Sequence, residues 1–401
     1  MNPIRKWAVA FASLCVVAAP LRADQDVYLL GVPDYQWYAG CFGTACGNLM
    51  GYWDRHGMQN FYAGPTAGGV APLNDFGDNN GIRSLWASKA GVDGRPADRP
   101  GHIDDYWLYY NNDSSYSYES TVEDPYMTAG RPEHSPDCIG DFIGLSQKKW
   151  TNMANECDGN IDAYSFVYWD MKGVRRTNYV PPTNAGLPAV DIQSGLRAWT
   201  RWRGYDADVF TQLADFNPEA PGTNGFTYQD VKAEIDAGYP LLVFLQPTNE
   251  TSRSLSGMQR ANPPIHGVMI FGYQEYPEYG TELVYVQTSW GIGSSFQGWT
   301  ATPWLNIGLS VRGVIGFHPK PRVRTISRNQ NSITLEWDGP QSQLYDVLAG
   351  ATSTVHRYQV QRSTKLTPNS WSDVDSPTSA LSSTVTELAG ASAFYRIKLL
   401  N

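Results

Sequence analysis

The chain has 401 residues, of which 42% are hydrophobic and only 17% charged, and it carries 38 Gly, 26 Pro, 24 Tyr and 14 Trp. That length suits one large domain with a small one beside it, and so little charge among so many turn and aromatic residues reads as a loop-rich exported protein rather than a helical cytosolic one. The net charge of −9 argues against binding nucleic acid or an anionic membrane surface.

At the start, Arg5 and Lys6 precede an apolar run over residues 7–17, followed by Ala18, Ala19, Pro20 and Ala23. This is the pattern of a signal peptide over residues 1–23, cleaved after Ala23. The run is too short to span a bilayer and no later segment is long enough, so the protein is expected to be secreted, extracellular or periplasmic, and not membrane-embedded. Cleavage removes Arg5, Lys6 and Arg22 and no acid, which takes the net charge from −9 to −12. Cys15 leaves with the signal, and Cys41, Cys46, Cys138 and Cys157 remain. Cys138 and Cys157 close a short loop and are the expected disulfide in an exporting compartment.

Residues 27–33 read as a short strand. A loop of aromatic and glycine residues then delivers Cys41 to the start of an apolar run in which Ala45, Leu49 and Trp53 recur every four residues, as one face of a helix does. His56 and Gly57 are expected to close that helix, the glycine in the left-handed conformation. A thiol at the opposite end faces unpaired N–H groups and the positive end of the helix dipole, both of which favour the reactive thiolate. Cys41 is therefore the candidate nucleophile. Cys46, five residues further along, points elsewhere and is expected in the core.

From about residue 57 to 132 Gly, Asn, Asp and Tyr dominate. The acidic and amide-rich stretch 74–81 lacks the ligand spacing of an EF-hand and reads as turn, and His102 beside Asp104 and Asp105 reads as a loop anchor. No metal or cofactor is expected. Helical signals return over 134–147 and 192–202. Residues 227–240 give the clearest later helix: Thr227 caps it, Asp230 takes the capping-box position, and Gly238 with Pro240 ends it. Residues 241–245 read as a strand buried on both faces, followed by a polar loop over 247–264. His266 opens the next strand, and another over 282–288 runs into Ser289, Trp290 and Gly291. Beyond about Lys320, short alternating runs at 332–337, 345–347, 356–361 and 393–398 indicate a small β-sandwich.

A cysteine at a helix start, a histidine opening a later strand and a polar residue just before Trp-Gly supply a nucleophile, a base and an orienter in chain order. With Trp37 to Gly40 before Cys41, Thr44-Ala45, Gly51-Tyr52-Trp53-Asp54, residues 235–240, His266-Gly267-Val268, Gly272-Tyr273 and Ser289-Trp290-Gly291, the chain resembles a papain-fold cysteine peptidase, more narrowly the secreted bacterial C39-like group. The resemblance covers about residues 27–319. It implies an α+β, papain-like fold over residues 24–319 and a peptide or protein substrate, with Cys41 as nucleophile, His266 as base, Thr288 as orienter and Gln36 in the oxyanion hole. Thr288 stands where the family carries Asn or Asp two residues before the tryptophan. Gln36 lies five residues before the cysteine rather than six, and Tyr35, at six, is the second choice for the hole. The segment 320–401 resembles fibronectin type III-like sandwich modules, which implies an accessory domain with cell-surface or carbohydrate contact. Two rival expectations keep the fold: an acyltransferase or amidase using the same pair, or a catalytically silent surface or adhesion protein that binds a partner in the cleft.

Overall fold

The structure, a computed structural model, describes residues 23–35, 40–61, 71–75, 139–143, 174–180, 183–184, 187–188, 191–217, 224–246, 266–288, 294–304, 308–386 and 392–400. Within them the fold is α+β, built from helices and mostly antiparallel strands. The helices are α1 (Gly40–Arg55), α2 (Ile139–Ile143), α3 (Ile192–Trp202) and α4 (Tyr228–Asp236). The strands of the large sheet in the first three-quarters of the chain are β1 (Gln25–Leu29), β2 (Ala207–Leu213), β3 (Leu241–Gln246), β4 (His266–Tyr276), β5 (Thr281–Gln287), β6 (Ser294–Gly298) and β7 (Ser310–Pro319), with the two-residue strand Arg176–Thr177 added on β2. Among the described residues no helix is long and apolar enough to cross a membrane.

The 11 residues of β4 make it the axis of the sheet. Its first half pairs with β3, from Leu245 opposite His266 to Leu241 opposite Ile270, and its second half pairs on the same edge with β1, from Tyr28 opposite Gly272 to Gln25 opposite Glu275. Along its other edge runs β5, which carries β6. On the far side of β3 lie β7 and then β2. α1 packs on β4 and β3, with Ala45, Cys46, Leu49 and Trp53 all buried, as their spacing requires. Gly57, at φ +89°, ends the helix in the left-handed region. The expected capping box of α4 is present: the Thr227 side chain accepts from the Asp230 N–H, and the Asp230 carboxylate accepts from the Thr227 N–H at 2.8 Å. A second box, Asp191 with Ser194, starts α3.

Past residue 319 come β8 (Arg322–Asn329), β9 (Ser332–Asp338), β10 (Gln343–Asp346), β11 (Ala351–Thr354), β12 (Arg357–Ser363), β13 (Ser382–Thr386) and β14 (Phe394–Leu400). One small sheet is β8, β9 and β13; another is β12 with β14 and the two-residue strand Ser372–Asp373. Leu335, Trp337, Tyr358, Val360 and Val385 form the core between them. The chain beyond the expected boundary also returns to the large sheet: β10 pairs with β1, and β11 with β10. Tyr28 meets Tyr345 and Tyr285 on either side, each at 5.4 Å between ring centroids, and the second contact is made across Gly272, which has no side chain in the way. Tyr52 of α1 donates to the Ser342 hydroxyl at 2.7 Å, and that hydroxyl donates to the Gly238 carbonyl at 2.6 Å.

Candidate active site

Cys41 is the second residue of α1, and the first turn of that helix contains no acid. The helix dipole therefore acts on this position without an opposing carboxylate in the turn. The Cys41 side chain and all of Gln36 lie outside the described residues, as do Cys138, Cys157, His102, His134 and the segment 289–293 with Trp290. Cys46 is buried in the core, as expected.

The chain on either side of the cysteine loop is tied to α1. Asn48, fully buried, accepts the Tyr35 backbone N–H at 2.9 Å. The Tyr35 hydroxyl donates to the Pro72 carbonyl at 2.9 Å, and its ring lies so close over Gly51 that no side chain fits there. A phenol placed in that way anchors the chain just before the cysteine loop. Asp54 accepts the Ala71 N–H at 2.8 Å while Arg55 donates to the Ala71 carbonyl at 2.6 Å. The run Gly51-Tyr52-Trp53-Asp54 thus has four separate jobs: room for Tyr35, the bridge to Ser342, core packing and the Ala71 clamp.

His266 is the first residue of β4 and only 2% exposed. Burial lowers its pKa from 6.5 to about 3, so the imidazole is neutral at physiological pH and a weaker base than an exposed histidine. Thr288 is half-buried and directly follows β5. The last pair of that ladder is Gln287 opposite Met269, three residues along β4 from His266, and Thr288 lies just beyond it.

The start of α1 meets the start of β4 through Phe42 and Gly267, the residues following Cys41 and His266. The Phe42 ring lies against Gly267 and stacks on Phe244 at 5.3 Å and 21°, Phe244 being the cross-strand partner of Gly267. Alternation along β4 turns Gly267 toward α1 and its neighbour His266 to the other face.

The other described histidines are committed elsewhere. His56 Nδ1 lies 3.3 Å from the Gln341 carbonyl, His318 Nε2 lies 2.5 Å from the Glu234 carboxylate, and His356 Nδ1 accepts the Ser342 N–H at 3.2 Å. Among the described residues no three His, Cys, Asp or Glu side chains gather as a metal site. Sequence reasoning overlooked Asn48, Phe42 and Gly267. Asn48 carried a signal, being the one amide side chain in α1, whereas the other two show their role only once α1 and β4 are in contact. Comparison with protein-family models, curated proteins and solved structures finds no match to this chain.

Proposed function

We propose that the protein is an exported cysteine peptidase with a papain-like, C39-like fold, hydrolysing peptide or isopeptide bonds. The observation that carries this reading is the Phe42–Gly267 contact, which sets the helix start bearing Cys41 against the strand that opens with His266. In the reaction, neutral His266 takes the Cys41 thiol proton as sulfur attacks the carbonyl carbon. The tetrahedral oxyanion is held by the Cys41 backbone N–H and the Gln36 amide. Collapse breaks the C–N bond, and the imidazolium returns its proton to the departing amine, leaving a Cys41 thioester. Water, deprotonated by His266, then hydrolyses the thioester and frees the thiol. Thr288 orients the imidazole by hydrogen bonding, without the charge an Asp would add. The sandwich strands after residue 320 serve as an accessory module for surface or carbohydrate contact.

The test is hydrolysis of a denatured protein such as casein by the mature chain. Loss of turnover in both Cys41→Ala and His266→Ala is expected. Turnover that persists in Cys41→Ala would remove the thiol from the mechanism. The near-complete burial of His266 favours one alternative, a silent cleft that binds a partner. It predicts no turnover in the wild type and partner binding that Cys41→Ala leaves intact.

A further inference from the structure

We infer that Phe42 and Gly267 are positioning residues that together set the separation of the Cys41 thiol and the His266 imidazole, an inference that rests on the peptidase reading above. Each is the chain neighbour of one member of the pair, and they touch each other. A methyl group at Gly267 would come within 2.6 Å of Phe42 Cδ1, 2.9 Å of Cε1 and 3.3 Å of Cγ. Ordinary carbon contacts are about 3.5–4.0 Å. The backbone of Gly267 does not require glycine, since its φ is not among the positive values of the chain. What excludes a side chain here is the Phe42 ring.

The ring cannot swing away at low cost. It is 1% exposed and stacked face to face on Phe244, which is itself fixed in β3 opposite Gly267. Protein interiors are close-packed, so displacement of a held ring moves the backbone that carries it. That backbone is the first turn of α1, and the residue before the ring is Cys41. A methyl group at position 267 therefore shifts the nucleophile by roughly an ångström against the strand that bears the base, and misplacement on this scale costs up to about 10²-fold in rate.

The test follows the iodoacetamide alkylation rate of Cys41 from about pH 5 to about pH 9, bracketing an ordinary thiol pKa of about 8.5, with each modified cysteine located by mass spectrometry. Buried Cys46 reports the fold, because it stays unlabelled in a native chain. Labelling of wild-type Cys41 that does not depend on His266 would remove the peptidase reading itself, before any variant is considered. With that dependence established, Gly267→Ala is expected to slow labelling at pH 6 about tenfold and to move the midpoint up toward the ordinary thiol value. Phe42→Leu, which removes the ring without adding bulk, is expected to loosen the pair and lower the rate as well. Combining the two variants gives the methyl group room and is expected to recover part of the Gly267→Ala loss. A purely structural role would move neither the pH midpoint nor this pattern of rescue. Should Gly267→Ala expose Cys46, Phe42→Leu decides alone. A variant with Cys46 protected and the wild-type Cys41 profile overturns the inference, as does a Gly267→Ala loss that Phe42→Leu does not relieve.

Discussion

Asn48 is the side chain on which the approach to Cys41 depends most directly. Its amide oxygen takes the backbone N–H of Tyr35, a fully buried residue with no water to turn to. Replacing Asn48 by Ala leaves that N–H buried without this acceptor, and a buried orphan of this kind costs about 1–3 kcal/mol. Urea denaturation of Asn48→Ala is expected to report a loss of about 2 kcal/mol; an unchanged midpoint would mean that the bond contributes nothing. The reading of the sequence reached residues whose chemistry is intrinsic. Cys41 at a helix start and His266 opening a strand stand out by residue type and local context alone. Gly267 does not, because its significance lies in an aromatic ring 225 positions earlier in the chain.

At the scale of the element, local rules work where an element carries its own punctuation. The capping box of α4 is complete in sequence and in structure, and Thr227→Ala is expected to lower stability by about 1 kcal/mol, read as a fall in the thermal midpoint that Thr227→Ser largely avoids. Helix α3 and strands β3, β4 and β5 were likewise legible from caps and apolar runs. β7 was not, for a physical reason. Its ladder to β3 steps from Val311 opposite Leu245 to Gly313 opposite Phe244, so Arg312 sits at a bulge and the alternation that marks a strand is broken. β8 was missed because nearly all of it is exposed and its side chains have no reason to alternate. The short run at 345–347 was recognised as a strand, but it was expected in the sandwich. Pairing with β1 across more than 300 residues places it in the large sheet instead, and no local pattern encodes such a partner.

At the scale of the whole molecule, the region beyond residue 319 is joined to the large sheet through a seam rich in histidine. His356 is buried there with Ser342 donating to its Nδ1, so only the neutral ring fits: a protonated ring would set one donor against another. Around it stand Trp53 and Tyr239, with His56 just past the end of α1 and His318 on β7 as the titratable groups that weigh on it. Burial, and then those two histidines, lower its pKa from 6.5 to about 3. His266 falls to about 3 by burial, and His56 is also lowered, chiefly by burial. Because the folded values lie below the unfolded ones, the unfolded chain binds more protons between them. Stability is complete above about pH 6.5 and is lost as pH falls toward 3. At pH 5, His356 costs about 2 kcal/mol. Asp236, raised by burial beside Tyr273, works in the opposite direction and makes the slope shallower. Thermal midpoints measured from pH 7.5 down to pH 4 are expected to fall steeply below about pH 6.5, and less steeply in His356→Asn, which keeps an acceptor for Ser342 without titrating. A midpoint flat across that range would contradict the buried neutral histidines.

The central claim is that Cys41 and His266 act as a pair, and it is tested most directly by the iodoacetamide alkylation rate of Cys41 against pH in the wild type and in His266→Ala. The account predicts rapid labelling at and below neutral pH in the wild type, slowed about tenfold or more when the imidazole is removed. Labelling that rises only near about pH 8.5, as for any unassisted thiol, with no difference between the two proteins, would contradict it.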